Sequence, residues 1–399
     1  MLAPKRSTPE IAILGAGIGG LATAAALHRA GLAATVYEQA GQLTEVGAGL
    51  VVAPNAARLL RRLGVLEPLL RQAVRLEVGW EFRRWRDGSI LSAEDLESSC
   101  ERLYGEHTYT VHRADLLAAL ENAVPTIRLG KRCIALEERK GRPLLRFADG
   151  DVVEADVVIG ADGVHSVVRG TITEPQAAVY SGLCAFRALV PAGDAPAFAR
   201  RRAQTLWLGP GHHLVHYPIS AGRYVNLVAF APAGDESVES WTARASVEEF
   251  LREFDGWDPR LVDLIRAAET PGRWALLDRA PLPNWSRGPV TLLGDAAHPM
   301  FPFFAQGAAQ AIEDAAVVAR CLADDPGDPV RALRRYEELR VPRTTRLQEV
   351  SHGRAHLNHL PDGPGQQARD REFAEHDPLV ANGWIYDYDP DESRFLSAQ

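Results

Sequence analysis

Ile11–Gly20, IAILGAGIGG, sets four apolar residues directly ahead of the pattern Gly15-x-Gly17-x-x-Gly20. A short apolar run bounded by glycine predicts a buried strand, and the alanine-rich stretch Gly20–Ala30, with Gly31 beyond it, predicts a helix with a glycine stop. A second strand is expected over Ala34–Tyr37, ending in Glu38. Together they make a strand–helix–strand unit of the roughly 30 residues that a mononucleotide-binding motif needs. Gly15 permits the tight turn, Gly17 lets the backbone approach a pyrophosphate, and Gly20 lets the helix pack close to the strand. The helix N-terminus adds amide donors and a favourable dipole. Glu38 is placed to accept hydrogen bonds from an adenosine ribose. The bland alternative is a glycine turn with no ligand, and strand, helix and acid in register weigh against it. The pattern alone does not separate FAD from NAD.

Two segments far downstream extend this reading. Asp156–Arg169, DVVIGADGVHSVVR, is another strand and turn, and Leu292–Ala316, LLGDAAHPMFPFFAQGAAQAIEDAA, is a third. In the third, Gly294-Asp295 comes at the end of an apolar strand, where a carboxylate can accept hydrogen bonds from the hydroxyls of a ribityl chain. Alone, Asp295 would read as an ordinary helix cap. Pro299 and Pro302 stiffen the next segment, and Gly307-Ala308 open a helix whose N-terminal amides could face a flavin pyrimidine. A reduced flavin carries negative charge there, which a helix N-terminus stabilises. In this order the segments describe one long dinucleotide held at several points, that is, a flavoenzyme.

The fold class expected is α/β: a Rossmann-type FAD-binding domain with an inserted antiparallel β-sheet substrate domain and a C-terminal helical region. The cofactor domain is discontinuous, over 1–75, 101–175 and 275–330. Short β-rich segments with Gly/Pro turns assign 76–100 and 176–274 to the substrate domain. Residues 331–399 form a long polar helix and a tail.

Composition narrows the function classes. An apolar fraction of 46% with 24% charged residues is ordinary for a globular chain. A net charge of −8 argues against general nucleic-acid affinity, which needs basic surface. No run approaches the ~18 apolar residues of a membrane helix, and the start MLAPKRSTPEIAIL lacks a signal-peptide core. Cys100, Cys133, Cys184 and Cys321 are scattered, with no CxxC. They fit a reducing cytoplasm and weigh against the disulfide-reductase branch of flavoproteins. His352, His356 and His359 are spaced near one helical turn, but no neighbouring acid or cysteine completes a metal site, and no metal is expected. His298 reads as structural, and the clusters Arg61-Arg62, Arg83-Arg84 and Arg200–Arg202 as solvated faces, although the alternation in Phe82–Trp85 could line a pocket.

Over nearly its whole length the chain resembles the single-component flavin-dependent aromatic hydroxylases. In that family GAGIGG with Glu38 binds the ADP half of FAD. GADG at Gly160–Gly163, with Asp162 and Gly163, is similar to the middle motif associated with FAD and the nicotinamide donor. LLGDAAHP, with Asp295, matches the flavin-ribityl motif, and Arg113 in VHRADLL resembles the arginine that meets the pyrophosphate. The segments at His298–Ala315 and WIYDYDP at Trp384–Pro390 look most like salicylate, 3-hydroxybenzoate and 6-hydroxynicotinate hydroxylases. Gln39-Ala40 departs from the pattern, since a basic residue is common after the ribose acid.

The resemblance implies a reaction. NADH or NADPH, docking transiently, reduces FAD; oxygen adds to give a flavin hydroperoxide, whose terminal oxygen passes to an electron-rich ring. A phenol is a better nucleophile without its proton, so the site wants a base or relay, and an apolar pocket to exclude water. In GHHLVHYPI, from Gly211, the residues His213, Val215 and Tyr217 share one strand face. Their spacing resembles a His/Tyr pair of the hydroxybenzoate and hydroxynicotinate enzymes. His213 is expected as base or relay, although His212 and His216 compete for that place, and Tyr217 as the group that orients substrate. Gln306, beside Gly307, is expected to hydrogen-bond substrate. The expected substrate is a small aromatic acid, with oxygen as co-substrate and a monomer or homodimer as the assembly. Alternatives are a hydroxylase of a larger polyketide or tetracycline-like compound, a flavin oxidase or dehydrogenase, and a non-redox binding protein similar to GDP-dissociation inhibitors.

Overall fold

The computed structural model describes residues 9–43, 49–174, 179–233 and 244–391; the first eight residues, on which the expectation of no leader segment partly falls, lie outside them. Ile11–Leu14 is buried along its whole length, as a continuous apolar run requires when both faces of a sheet are covered. It forms the middle of a six-stranded sheet ordered Ser286–Arg287, Val290–Leu292, Val157–Gly160, Ile11–Leu14, Ala34–Tyr37, Ile127–Arg128. Ile11 stands in register with Val157 on one side and Ala34 on the other, and every pairing except that of Ser286–Arg287 is parallel. The first helix, Ile18–Arg29, packs against the helix Gly307–Asp324.

Parallel strands place all their carboxyl ends on one edge, where α/β proteins bind ligands. The loops that leave Leu14, Tyr37, Gly160 and Leu292 therefore converge, and they carry Gly15, Glu38, Asp162 and Asp295. Segments far apart in the chain meet because they leave neighbouring strands.

The second sheet has seven strands, ordered Gly272–Asp278, Val179–Pro191, Tyr224–Pro232, His212–Ile219, Ala203–Gly209, Val78–Arg84, Ile90–Asp95. It is antiparallel except where Ala203–Gly209 meets Val78–Arg84, a parallel pair, so the insert is a mixed sheet. The strand Gly272–Asp278 straddles the boundary drawn at residue 274. Alternation assigns its two faces. Phe186, Val190, Leu214, Leu227 and Ala229 pack under the helices Val247–Glu253 and Pro259–Arg266, with Phe250, Phe254 and Leu264. The opposite face carries Ala185, Val228, Phe230 and Tyr217 and turns toward the segment Phe301–Ala305.

Two three-stranded sheets, Gly49–Val52 with Tyr109–His112 and Val74–Arg75, and the meander Cys133–Glu154, complete the β-structure. A 30-residue helix, Pro329–Asn358, leads to the short helices Pro364–Glu375, Pro378–Ala381 and Gly383–Tyr386. Among the described residues no helix is long and apolar enough to cross a membrane.

Candidate active site

The glycine turn is shaped to receive a ligand. Gly15 has φ +100°, a conformation glycine adopts freely, and a side chain there would strike the carbonyl of Ala161. A side chain at Gly20 would strike the carbonyl of Gly15, so both positions are closed by the protein itself. Gly17 differs: a Cβ there would meet nothing within 4 Å. It is also the residue before the helix Ile18–Arg29, whose first amides have no side-chain cap. An open cradle under uncapped amides fits a pyrophosphate. Glu38 is held beside it by two backbone donors, Ala16 N at 2.8 Å and Ala40 N at 2.8 Å, one to each carboxylate oxygen. Each oxygen keeps a second lone pair for a ribose hydroxyl.

Asp295 lies on the same edge, solvent-exposed but at the bottom of a hollow. Loss of bulk water pushes its carboxyl above the usual range, opposed by His298, Arg113 and Arg169. Hydroxyl donors from a bound ribityl chain would relieve that cost. Arg113 begins the helix Arg113–Glu121, at the end that faces this hollow. The residues present fit FAD: Gly15, Gly17, Gly20 and Glu38 would hold the ADP half, Arg113 would meet the pyrophosphate, and Asp295 with the start of the helix Gly307–Asp324 would hold the flavin half. Gln306 supplies no side-chain cap to that helix, so the first amides, at Gly307 and Ala308, stay available. Asp162 is engaged within its own turn, accepting from Ser166 Oγ at 2.5 Å and Val167 N at 2.8 Å. It shapes the loop around Gly163, which has φ +73°.

Behind the loop lies a buried charged network. Asp314 accepts from Gly294 N at 2.9 Å, His298 Nε2 at 2.6 Å and Arg340 Nε at 2.7 Å. Burial would raise its carboxyl, but His298 and Arg340 outweigh that and hold it at about 2. Glu313 accepts from Arg340 at 2.6 Å, Arg343 at 2.7 Å and Asn55 at 2.7 Å. Gln306 belongs to this network: its carbonyl oxygen accepts from Asn55 at 3.0 Å and Gln310 at 3.2 Å, and its side chain is 1% exposed. Its carbonyl is engaged here, and Gln306 is not among the residues that line the cavity described below. It fixes the loop from behind, because the buried carbonyl is satisfied by neighbours on two helices. His298, read as structural, is buried and bonded to Asp314 in this network.

A cavity of about 690 Å³, part of it open to solvent, lies where the second sheet faces the loop. His213, Val215 and Tyr217 all line it, along with Val228, Phe230, Leu206, Pro302, Phe303, Ala305 and Ala308. The alternation of the strand His212–Ile219 thus puts the expected trio on one face, and it excludes the rivals. His212 is bound to Pro210 O at 2.9 Å and Glu253 at 3.1 Å, and His216 accepts from Trp207 Nε1 at 3.1 Å on the other face. His213 stacks on Phe230, with centroids 4.4 Å apart, and its Nδ1 lies 2.6 Å from His359 Nε2. Burial drives its pKa well down, and His359, Arg354 and His212 push the same way. Burial pushes the Tyr217 phenol up to about 12, with Arg187 opposing. The segment Phe82–Trp85 does not line the cavity: Phe82 stacks on Phe373 and Trp85 packs on Trp257.

Arg187 was not anticipated. It lines the cavity, its Nε has no hydrogen-bond partner, and no carboxylate among the described residues pairs with it. Its guanidinium lies over the face of Trp274, 5.0 Å from the ring centroid. Burial lowers its pKa, Tyr217 opposes this and Arg113 adds to it. The signal was present in Leu183–Val190, where Arg187 is the lone charge in an apolar strand. A buried charge without a partner is costly and asks for an anion.

Residues 8–351 match the family described as FAD binding domain. The chain is 44% identical over 383 residues to a 3-amino-4-hydroxybenzoate 2-monooxygenase of Streptomyces platensis, covering 96% of both. It is 38% identical over 351 residues to the 6-hydroxynicotinate 3-monooxygenase of Pseudomonas fluorescens, covering 86% of this chain and 91% of that one. Among solved structures, Klebsiella pneumoniae HpxO complexed with FAD and uric acid superposes with a TM-score of 0.82 at 28% identity, covering 95% of this chain and 96% of that one.

Proposed function

The chain belongs to the single-component FAD-dependent aromatic hydroxylases, NAD(P)H-dependent monooxygenases, and from that premise we propose that it adds one oxygen atom to the ring of a small hydroxy-aromatic acid. The first candidate is 3-amino-4-hydroxybenzoate or a close relative of it. The observation that carries this reading is the cavity wall: one guanidinium, Arg187, on the same sheet face as the His213/Tyr217 pair and two strands from it, in largely apolar surroundings. Arg187 takes the carboxylate, because an anion removes the cost of its burial. Tyr217 hydrogen-bonds the substrate and sets its orientation. His213, whose Nδ1 is committed to His359, meets the ring hydroxyl with Nε2 and accepts its proton. Phe230, Phe303, Val215 and Leu206 keep water from the reacting ring. Bound FAD supplies the electrons taken from NAD(P)H and activates oxygen. Asp162 and Gly163 shape the middle loop of the cofactor site. The four cysteines are all free thiols, which suits a reducing cytoplasm, and the assembly is a monomer or homodimer.

The test is NADH and NADPH oxidation by the holoprotein with 3-amino-4-hydroxybenzoate, salicylate, 3-hydroxybenzoate and 6-hydroxynicotinate, with products identified by mass. One acid that accelerates oxidation and gains a single oxygen supports the reading. Silence from all of them, with turnover of a larger polycyclic phenol, would replace it by the secondary-metabolite alternative.

A further inference from the structure

His213 is the inner half of a pair. The outer half, His359, closes the helix Pro329–Asn358, and the two rings lie with centroids 4.8 Å apart and 44° between planes. Gly211 N donates to His359 O at 3.0 Å, which ties the entry of the strand His212–Ile219 to the end of that helix. The hydrogen bond between the rings is thus held by backbone on both sides. His213 is 1% exposed and borders the cavity, whereas His359 is only part-buried. The pair therefore runs from the substrate pocket toward the surface.

The surroundings offer no place for a proton to rest. Among the described residues no carboxylate is hydrogen-bonded to either ring. His212, the nearest other histidine, is occupied by Pro210 O and Glu253. Arg354, the nearest cation, is enclosed by Trp80, Phe82, Phe304 and Phe373. Phe230 and Phe303 pack on His213 and carry no charge. Burial holds His359 at about 4 and His213 well below its ordinary value, so neither ring stores a proton near neutrality. Two unionised imidazoles in series can still pass one, because each has a donor and an acceptor nitrogen.

We propose that His213 and His359 form a two-imidazole relay that carries the ring-hydroxyl proton of the bound substrate out of the cavity to solvent. The substrate O–H bond breaks as His213 Nε2 gains a proton. His213 Nδ1 gives its proton to His359 Nε2, and His359 Nδ1 releases one to water. A phenolate remains in the cavity, both imidazoles end neutral with their tautomers exchanged, and reprotonation of the product by the reverse path restores them. His359 touches neither substrate nor cofactor, so it acts through His213. The inference rests on the cavity being the site of a ring-hydroxylated substrate.

The experiment uses oxidised holoenzyme without reductant, loaded with whichever of 3-amino-4-hydroxybenzoate, salicylate, 3-hydroxybenzoate and 6-hydroxynicotinate binds best. A rapid pH jump is followed by the phenolate absorbance of the bound acid. In His359→Gln the ionisation rate should fall about a hundredfold, the low end of what proton-transfer groups contribute. The dissociation constant should stay within about twofold, and free imidazole should restore the rate in His359→Ala. Normal binding with an unchanged rate in both variants overturns the relay and leaves the proposed function standing. Loss of binding together with ionisation, and no rescue by imidazole, makes His359 a packing residue and also overturns it. If none of the acids binds the wild type, the reading of the cavity fails first and the relay falls with it.

Discussion

Arg187 carries the most decisive chemistry that a single residue in this cavity can test. A buried guanidinium paired with no carboxylate among the described residues favours an anionic ligand, and removing one partner of such a pair costs about 2–5 kcal/mol. Arg187→Met should therefore raise KM for the preferred acid by roughly 30-fold or more while leaving the methyl ester of that acid almost unaffected. Equal losses for acid and ester would mean that Arg187 supports the wall and does not read charge. At Tyr217 the expected effect is smaller: Tyr217→Phe removes one neutral hydrogen bond, about 1 kcal/mol of binding, and keeps the ring that packs beside Ile219. His213 and Tyr217 were legible because a strand alternates, so parity separates His213 from His212 and His216. Arg187 was legible in principle, as the single charge within Leu183–Val190. The bonds that occupy the Gln306 carbonyl were not legible, because Asn55 and Gln310 come from two helices and nothing in AQGA announces them. No sequence signal pairs His213 with His359, which meet only when the long helix ends beside the strand.

The helix Gly307–Asp324 serves as an element in two ways: its first turn faces the cavity, and its second turn holds two adjacent buried acids. Glu313 and Asp314 are both inaccessible to solvent, and Arg340, equally buried, bonds both. The sequence showed AIEDA as a motif, but an acid's partner some 26 residues away on another helix leaves no local pattern to read. Arg340→Met should cost about 3–5 kcal/mol of stability, because it strands charges that burial otherwise penalises. The denaturation midpoint at pH 7 measures it, and a change under about 1 kcal/mol would show that Arg343 and His298 suffice. The pH dependence comes from Asp314. Its folded pKa, about 2, lies below the ordinary 3.8, so its contribution is complete above about pH 4 and is lost as pH falls toward 2. Without Arg340 the folded pKa rises, and acid unfolding should begin at higher pH than in the wild type. Gly294 N hangs on the same carboxylate, so weaker FAD retention should accompany the change.

At the scale of the molecule the seven-stranded sheet faces the strand Gly49–Val52 and the segment Pro302–Ala308 across the cavity, and the C-terminal segment straps the two sides together. Arg62 on the helix Pro54–Arg62 pairs with Asp389, and Arg343 donates to Trp384 O at 2.9 Å and Ile385 O at 3.1 Å. The Tyr104 hydroxyl donates to Leu379 O at 2.6 Å. The tail WIYDYDP, legible in the sequence only as a resemblance, is thus a clamp on both the cofactor domain and the edge of the seven-stranded sheet. At that edge sits Glu94, 2% exposed, reached among the described residues by weak hydrogen bonds from Asn382 at 3.3 Å and Tyr386 at 3.4 Å. Burial pushes its carboxyl up to about 8, and those two hydrogen bonds only partly oppose it. An acid whose folded pKa lies above its unfolded value of 4.5 binds more protons folded than unfolded between the two. Stability is therefore lost as pH rises from about 4.5 to about 8, on the order of 5 kcal/mol for the full shift. Glu94→Gln keeps the shape and stays neutral, so it should match the wild type near pH 5 and exceed it increasingly up to pH 8, where the gap levels off. Denaturant titrations of both proteins at pH 5, 6.5 and 8 decide it. A gap that stays constant across that range would mean that the Glu94 carboxylate is hydrated in solution and that the clamp opens there. The tail would then be a mobile cover and not a strap.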